Sequence, residues 1–122
     1  MNKKIKILIA EDEVLIAKWL KIELEDAGYE VFDFVTTGED TLAVSLEKKP
    51  DIILLDIHLA SEMDGIDAAE KIYSEMNIPV IFMTGYNEAD VIERAQKTKP
   101  VALIEKPVGL YNIKPIIDSI FE

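Results

Sequence analysis

The sequence contains no cysteine in its 122 residues. That excludes a disulfide framework and a thiolate metal site, and it fits a reducing compartment. Positive charge is also scarce. Thirteen Lys and Arg stand against 24 Asp and Glu, a formal net charge of -11. A chain this acidic repels a nucleic-acid backbone, so no direct nucleic-acid partner is expected. No apolar run approaches the roughly 20 residues of a membrane span. The run after Met1-Asn2-Lys3-Lys4 stops at Glu11, too early for a secretory signal. The expected location is therefore cytoplasmic, with no membrane partner. Linkers, low-complexity segments and sequence repeats are missing too. Hydrophobic residues make up 49%, so one domain spanning 1–122 with a core of its own is expected.

What is present is an alternation of strand and helix patterns. Ile5 to Ala10 reads as a strand. From Val14 the spacing is helical, with Ile16, Leu20, Leu24 and Ala27 in one stripe that Leu15, Trp19 and Ile22 widen, and Gly28 caps it. Tyr29 to Val35 reads as a half-polar edge strand. Thr37-Gly38-Glu39-Asp40 opens a helix to about Glu47. Ile52-Ile53-Leu54-Leu55 is apolar throughout, the mark of a strand buried on both faces, and it ends on Asp56. Asp64 caps a helix whose apolar side carries Ile66, Ala69, Ile72 and Met76. A further buried strand, Ile78 to Met83, ends on Thr84-Gly85. Asn87 caps a helix from Glu88 to about Lys97, and Val101 to Ile104 is a short strand before Glu105-Lys106-Pro107. Pro115 is harmless only in a helix's first turn, so the last helix is expected to start near Tyr111 or Asn112 and to reach Phe121. Five strand–helix repeats imply a parallel sheet with right-handed crossovers and helices on both faces.

In such a sheet all carboxyl ends of strands share one edge. Glu11 and Asp12, Asp56, Thr84 and Lys106 would gather there. Two carboxylates about 5 Å apart repel by roughly 3 kcal/mol at an effective dielectric near 20. Three of them need compensation from bound protons, a cation or Lys106. A magnesium ion takes one or two carboxylates and a phosphate oxygen, and a carboxylate, a metal, a lysine and a hydroxyl together suit phosphoryl transfer.

These features carry a family resemblance. The acidic pair Glu11-Asp12, the strand ending at Asp56, Asp64-Gly65, Thr84-Gly85 and Lys106-Pro107 occur in order over essentially the whole chain. In this set the chain resembles the receiver domain of two-component response regulators. The resemblance implies a flavodoxin-like doubly wound (βα)5 fold with strand order 2-1-3-4-5. It implies that Asp56 accepts a phosphoryl group from the phosphohistidine of a histidine kinase or phosphotransfer protein. Mg2+ would be held by Asp12 and Asp56 directly, by Glu11 mostly through water, and by the backbone carbonyl of His58. Lys106 would pair with the phosphoryl group, Thr84 would hydrogen-bond it, and the Lys106–Pro107 peptide would be cis. Self-catalysed phosphorylation and dephosphorylation of Asp56 would be its only catalysis. The face built from the fourth helix, fifth strand and fifth helix would meet an effector or form a homodimer, with Val91, Ile92, Ala95, Leu103 and Ile113 on or near it.

The chain departs from the pattern in places. Leu103 stands where many receivers carry an aromatic, Gly85 replaces the usual alanine, and Ala60 replaces a proline. With Ser61-Glu62-Met63 lengthening that loop, it is expected to be more mobile. His58 is the single histidine and is expected to point to solvent at the rim. With Tyr86 on the opposite flank, it would tune the phosphoaspartate lifetime. A phosphatase of the haloacid dehalogenase type is a competing reading, but it needs a second aspartate at the place of His58. A receiver-like binding module without phosphoryl turnover is the other, and it gives no reason for three mutually repelling carboxylates. Met1 reads as a true start, so any missing output domain would lie beyond Glu122.

Overall fold

Short apolar strands without polar alternation need cover on both faces, and here they form the middle of one sheet. The computed structural model describes residues 4–85 and 89–121. In it β1 (Lys6–Ala10), β3 (Ile52–Asp56) and β4 (Val80–Thr84) lie side by side. β2 (Glu30–Val31) and β5 (Ala102–Glu105) form the edges. All pairings are parallel and the order is β2-β1-β3-β4-β5, the flavodoxin-like arrangement expected. The helices are α1 (Val14–Asp26), α2 (Gly38–Lys48), α3 (Gly65–Glu75), α4 (Ala89–Gln96) and α5 (Leu110–Phe121).

Alternate strand residues point to opposite faces, and each face has its own core. Ile7, Ile9, Ile52, Leu54 and Ile81 pack with Leu20 and Leu24 of α1 and Ile113 and Ile117 of α5. Leu8, Ile53, Leu55 and Phe82 pack with Ile66 and Ile72 of α3 and Ala95 of α4. Thr37 Oγ1 accepts from Asp40 N–H at 3.0 Å and so caps α2. Asp64 and Asp67 make a reciprocal capping box at the start of α3.

Several local expectations shift. β2 is a two-residue ladder rather than a strand from Tyr29 to Val35, with one further bridge between Ala10 and Val35. Phe32 N–H donates to Ile7 O and Val35 N–H to Ile9 O, so three residues on the edge advance against two on β1, as in a bulge. β5 lies one residue later than expected. Leu15, Trp19 and Ile22 do not widen a buried stripe. They are 82%, 49% and 59% exposed, because α1 meets the sheet along the narrower line of Ala17, Leu20 and Leu24.

α5 begins at Leu110, before the expected Tyr111 or Asn112, and Pro115 lies inside it, past the first turn. Gly109 O accepts from Asn112 and Ile113 N–H at 3.2 and 3.1 Å. Pro115 withholds the N–H that Tyr111 O would accept. Both residues are exposed, so water can take that carbonyl and the interior proline is tolerated. The cap assigned to Asn87 and the start at Glu88 lie outside the described residues. The loop at Ala60–Met63 makes hydrogen bonds to its surroundings and within itself. Ala60 N–H donates to Asp12 Oδ2 at 3.2 Å, Ser61 Oγ donates to Met63 O at 2.6 Å, and Gly38 N–H donates to Ser61 Oγ at 3.2 Å. Among the described residues no helix is long and apolar enough to cross a membrane.

Candidate functional site

Parallel pairing sets the strand ends level. Ala10 faces Leu55, Asp56 faces Met83 and Thr84 faces Glu105. Glu11 and Asp12 therefore follow β1 onto the edge where Asp56 ends β3, Thr84 ends β4 and Lys106 follows β5. The structure brings together the carboxylates and the ammonium that the sequence placed there. Glu11, Asp12 and Asp56 each offer an oxygen, and these lie within 4.8 Å of one another. Lys106 Nζ stands between two of them, 2.9 Å from Glu11 Oε1 and 3.1 Å from Asp56 Oδ2.

Each carboxylate is also tethered to backbone. Asp56 Oδ1 accepts from His58 N–H at 3.0 Å, Glu11 Oε2 from Glu13 N–H at 3.1 Å, and Asp12 Oδ2 from Ala60 N–H at 3.2 Å. Such charge-assisted bonds fix short side chains in one orientation. Glu11 is fully buried and Asp56 is 3% exposed, while Asp12 is half-buried.

Burial pushes the Glu11 carboxyl above its ordinary pKa. The Lys106 and Glu13 hydrogen bonds oppose this, and the charge on Asp56 adds to it. Burial pulls the Lys106 ammonium down, but its contacts with Glu11 and Asp56 outweigh that and leave it raised. The pair thus strengthens the base without strengthening the acid, because burial of Glu11 outweighs what the lysine gives back, and the second carboxylate adds to it. One ammonium does not offset three carboxylates. The donor set is all oxygen, with no nitrogen or sulfur ligand, and it suits a hard divalent cation of the Mg2+ kind.

Thr84 is buried, and its carbonyl accepts from Lys106 N–H at 2.7 Å, which ties the β5 end to β4. The Lys106–Pro107 peptide is cis. His58 is half-buried and its Nε2 is shielded from solvent, so a side chain pointing outward is not what the fold adopts. Tyr86 lies outside the described residues. Leu103 is half-buried and, like Val91, packs against the core that holds Phe82, on the face away from α1 and α5. Of the residues expected on the outer face of α4, β5 and α5, Ala95 and Ile113 are fully buried and belong to the two cores.

Sequence reasoning quoted Gly65 without a reason for it. A Cβ there would collide with the Asp56 carbonyl oxygen and stand 3.0 Å from Ile57 Cα. Gly65 N–H donates to Ile57 O at 3.0 Å, so α3 starts hard against the strand that carries Asp56. The available signal was a glycine directly after a capping aspartate, where close backbone approach needs one.

Comparison with known proteins points one way. The sequence profile of the response regulator receiver domain matches residues 7–118. The transcriptional regulatory protein PdtaR of Mycobacterium tuberculosis is 33% identical over 93% of this chain and 55% of its own length. Sporulation initiation phosphotransferase F of Bacillus subtilis is 30% identical over 96% of this chain and 92% of its own. Among solved structures, the signal receiver domain of a modulated diguanylate cyclase from Desulfovibrio desulfuricans superposes with a TM-score of 0.90. It is 32% identical and covers 96% and 93% of the two chains. The chain spans about half the length of PdtaR and about a third of a protein-glutamate methylesterase from Paramagnetospirillum magneticum.

Proposed function

Because the chain belongs to the response regulator receiver domain family of two-component systems, we propose that Asp56 accepts a phosphoryl group from a phosphohistidine of a histidine kinase or phosphotransfer protein. The observation that carries this reading is a nearly buried carboxylate ending the central strand, with one oxygen on the His58 N–H and the other on Lys106. An Asp56 oxygen bonds to phosphorus as the donor's phosphorus–nitrogen bond breaks, and the departing imidazole takes up a proton. Hydrolysis reverses the gain: water attacks phosphorus, phosphate leaves and the carboxylate returns.

Asp12 and Asp56 would hold Mg2+ directly, Glu11 mostly through water, and the His58 carbonyl would complete the protein's share. When bound, the ion neutralises charge that builds on the phosphoryl oxygens. Lys106 reaches the same oxygens from the β5 side, since its ammonium already lies 3.1 Å from Asp56. The Thr84 hydroxyl takes another and reports that the group is present. His58 and Tyr86 set how readily water reaches it. The signal leaves through the face of α4, β5 and α5 to an effector or a second copy, in the cytoplasm.

Incubation with acetyl phosphate and Mg2+, read by intact mass, tests the proposal. One added phosphoryl group is expected, lost when EDTA is present from the start and lost in Asp56→Asn. A folded wild type that gains no mass would refute it.

A further inference from the structure

Lys106 is the site's long, flexible member, and the loop behind it is held from a helix that carries none of the site. At its front Lys106 N–H is fixed to Thr84 O at 2.7 Å. At its back Leu110 N–H donates to Glu23 Oε1 of α1 at 3.2 Å, a contact between residues 87 apart in sequence. Between them Gly109 N–H donates to Asn112 Oδ1 at 2.9 Å. Gly109 is buried, and a Cβ on it would lie 3.5 Å from Cη2 of Trp19. Trp19 and Glu23 are four apart and share one face of α1. Trp19 lines the same cavity as Lys106, Pro107 and Val108.

We propose that Glu23 and Trp19 are positioning residues for Lys106. Glu23 supplies the N-terminal acceptor that α5 draws from another helix, and its charge suits that helix end. Trp19 backs the loop at Gly109. Together they hold residues 107–110 so that the ammonium stays in contact with Glu11 and Asp56. The inference rests on the reading of Asp56 as phosphoacceptor, because the role of Lys106 is toward the phosphoryl group.

The test compares rates of phosphorylation by acetyl phosphate with Mg2+ affinity measured by calorimetry without a phosphodonor. Glu23→Ala is expected to slow phosphorylation about fivefold, the loss of one hydrogen bond's worth of positioning. Glu23→Gln keeps an acceptor oxygen and stays within about twofold of wild type by the same reasoning. Glu23→Met keeps the shape without the acceptor and behaves as Glu23→Ala, which separates the bond from packing if the alanine variant folds poorly. Trp19→Ala is slowed and Trp19→Phe is largely restored. Mg2+ affinity stays unchanged throughout, since the carboxylates come from β1 and β3. Ile22→Ala, an exposed change on the same helix, has no effect. A phosphorylated wild type with Glu23→Ala and Trp19→Ala at its rate overturns the positioning role alone. Equal slowing in Ile22→Ala, no rescue by Glu23→Gln, or a parallel loss of Mg2+ affinity also overturns it. A wild type that takes no phosphoryl group removes the acceptor reading and this inference with it.

Discussion

The two halves of the site stand on different footings. Its anionic half comes from the ends of β1 and β3, and β3 is buried at all five positions. Its cationic half comes from β5, an edge strand with no fully buried position. An aspartate on a buried strand has little freedom left: two side-chain torsions and one backbone N–H settle it. A lysine just past an edge strand has a flexible four-carbon stem. Its placement draws on Thr84 O of the neighbouring strand and, in the proposal above, on the α1 side chains Glu23 and Trp19 outside the sheet. At the centre burial and local backbone hydrogen bonds act together, and at the edge the contacts come from farther along the chain.

Substitutions that probe burial should separate the halves. Leu54→Ala, in a fully buried β3 position, is expected to lower the unfolding free energy by about 3 kcal/mol in urea titrations. Gly65→Ala is next, at about 2 kcal/mol, because its new Cβ meets Asp56 backbone that cannot step aside. Ile104→Ala on β5 should cost only about 1 kcal/mol, since the side chain is partly exposed already. A loss in Ile104→Ala equal to that in Leu54→Ala would erase the distinction between centre and edge.

The smallest effect is a pH dependence measured in EDTA. The Glu11 carboxyl is raised in the folded chain, so the fold keeps a proton that the unfolded chain has released. That contribution is fully present below the ordinary glutamate range and is lost as pH rises through the folded value. The stability of wild type relative to Glu11→Gln should thus fall as pH rises above the ordinary glutamate range. A difference that grows with pH would mean that Lys106 outweighs burial at Glu11.

Much of the fold was legible locally. The apolar run Ile52 to Leu55 has no face to offer water, which made it a central strand, and Thr37 and Asp64 announced their helices through caps that the structure contains. The alternation of elements then placed Glu11, Asp12, Asp56, Thr84 and Lys106 at one edge. What misled were patterns whose meaning depends on a neighbour. Leu15, Trp19 and Ile22 fit a helical stripe but face solvent, because an apolar residue records a preference and not a partner. Pro115 was judged against an isolated helix, whereas its place on the outside of α5 lets water replace the lost bond.

The sequence by itself determined the succession of strands and helices along the chain and the chemistry collected at the strand ends, since the first follows from periodicity and the second from the parallel sheet that strand–helix alternation implies. Only the tertiary structure decided that Lys106 sits between Glu11 and Asp56, that Gly65 makes room for the Asp56 backbone, and that α1 reaches over to hold the start of α5. Those contacts join residues distant in the chain, and their distances are set by how the two faces of the sheet pack, which no local pattern encodes.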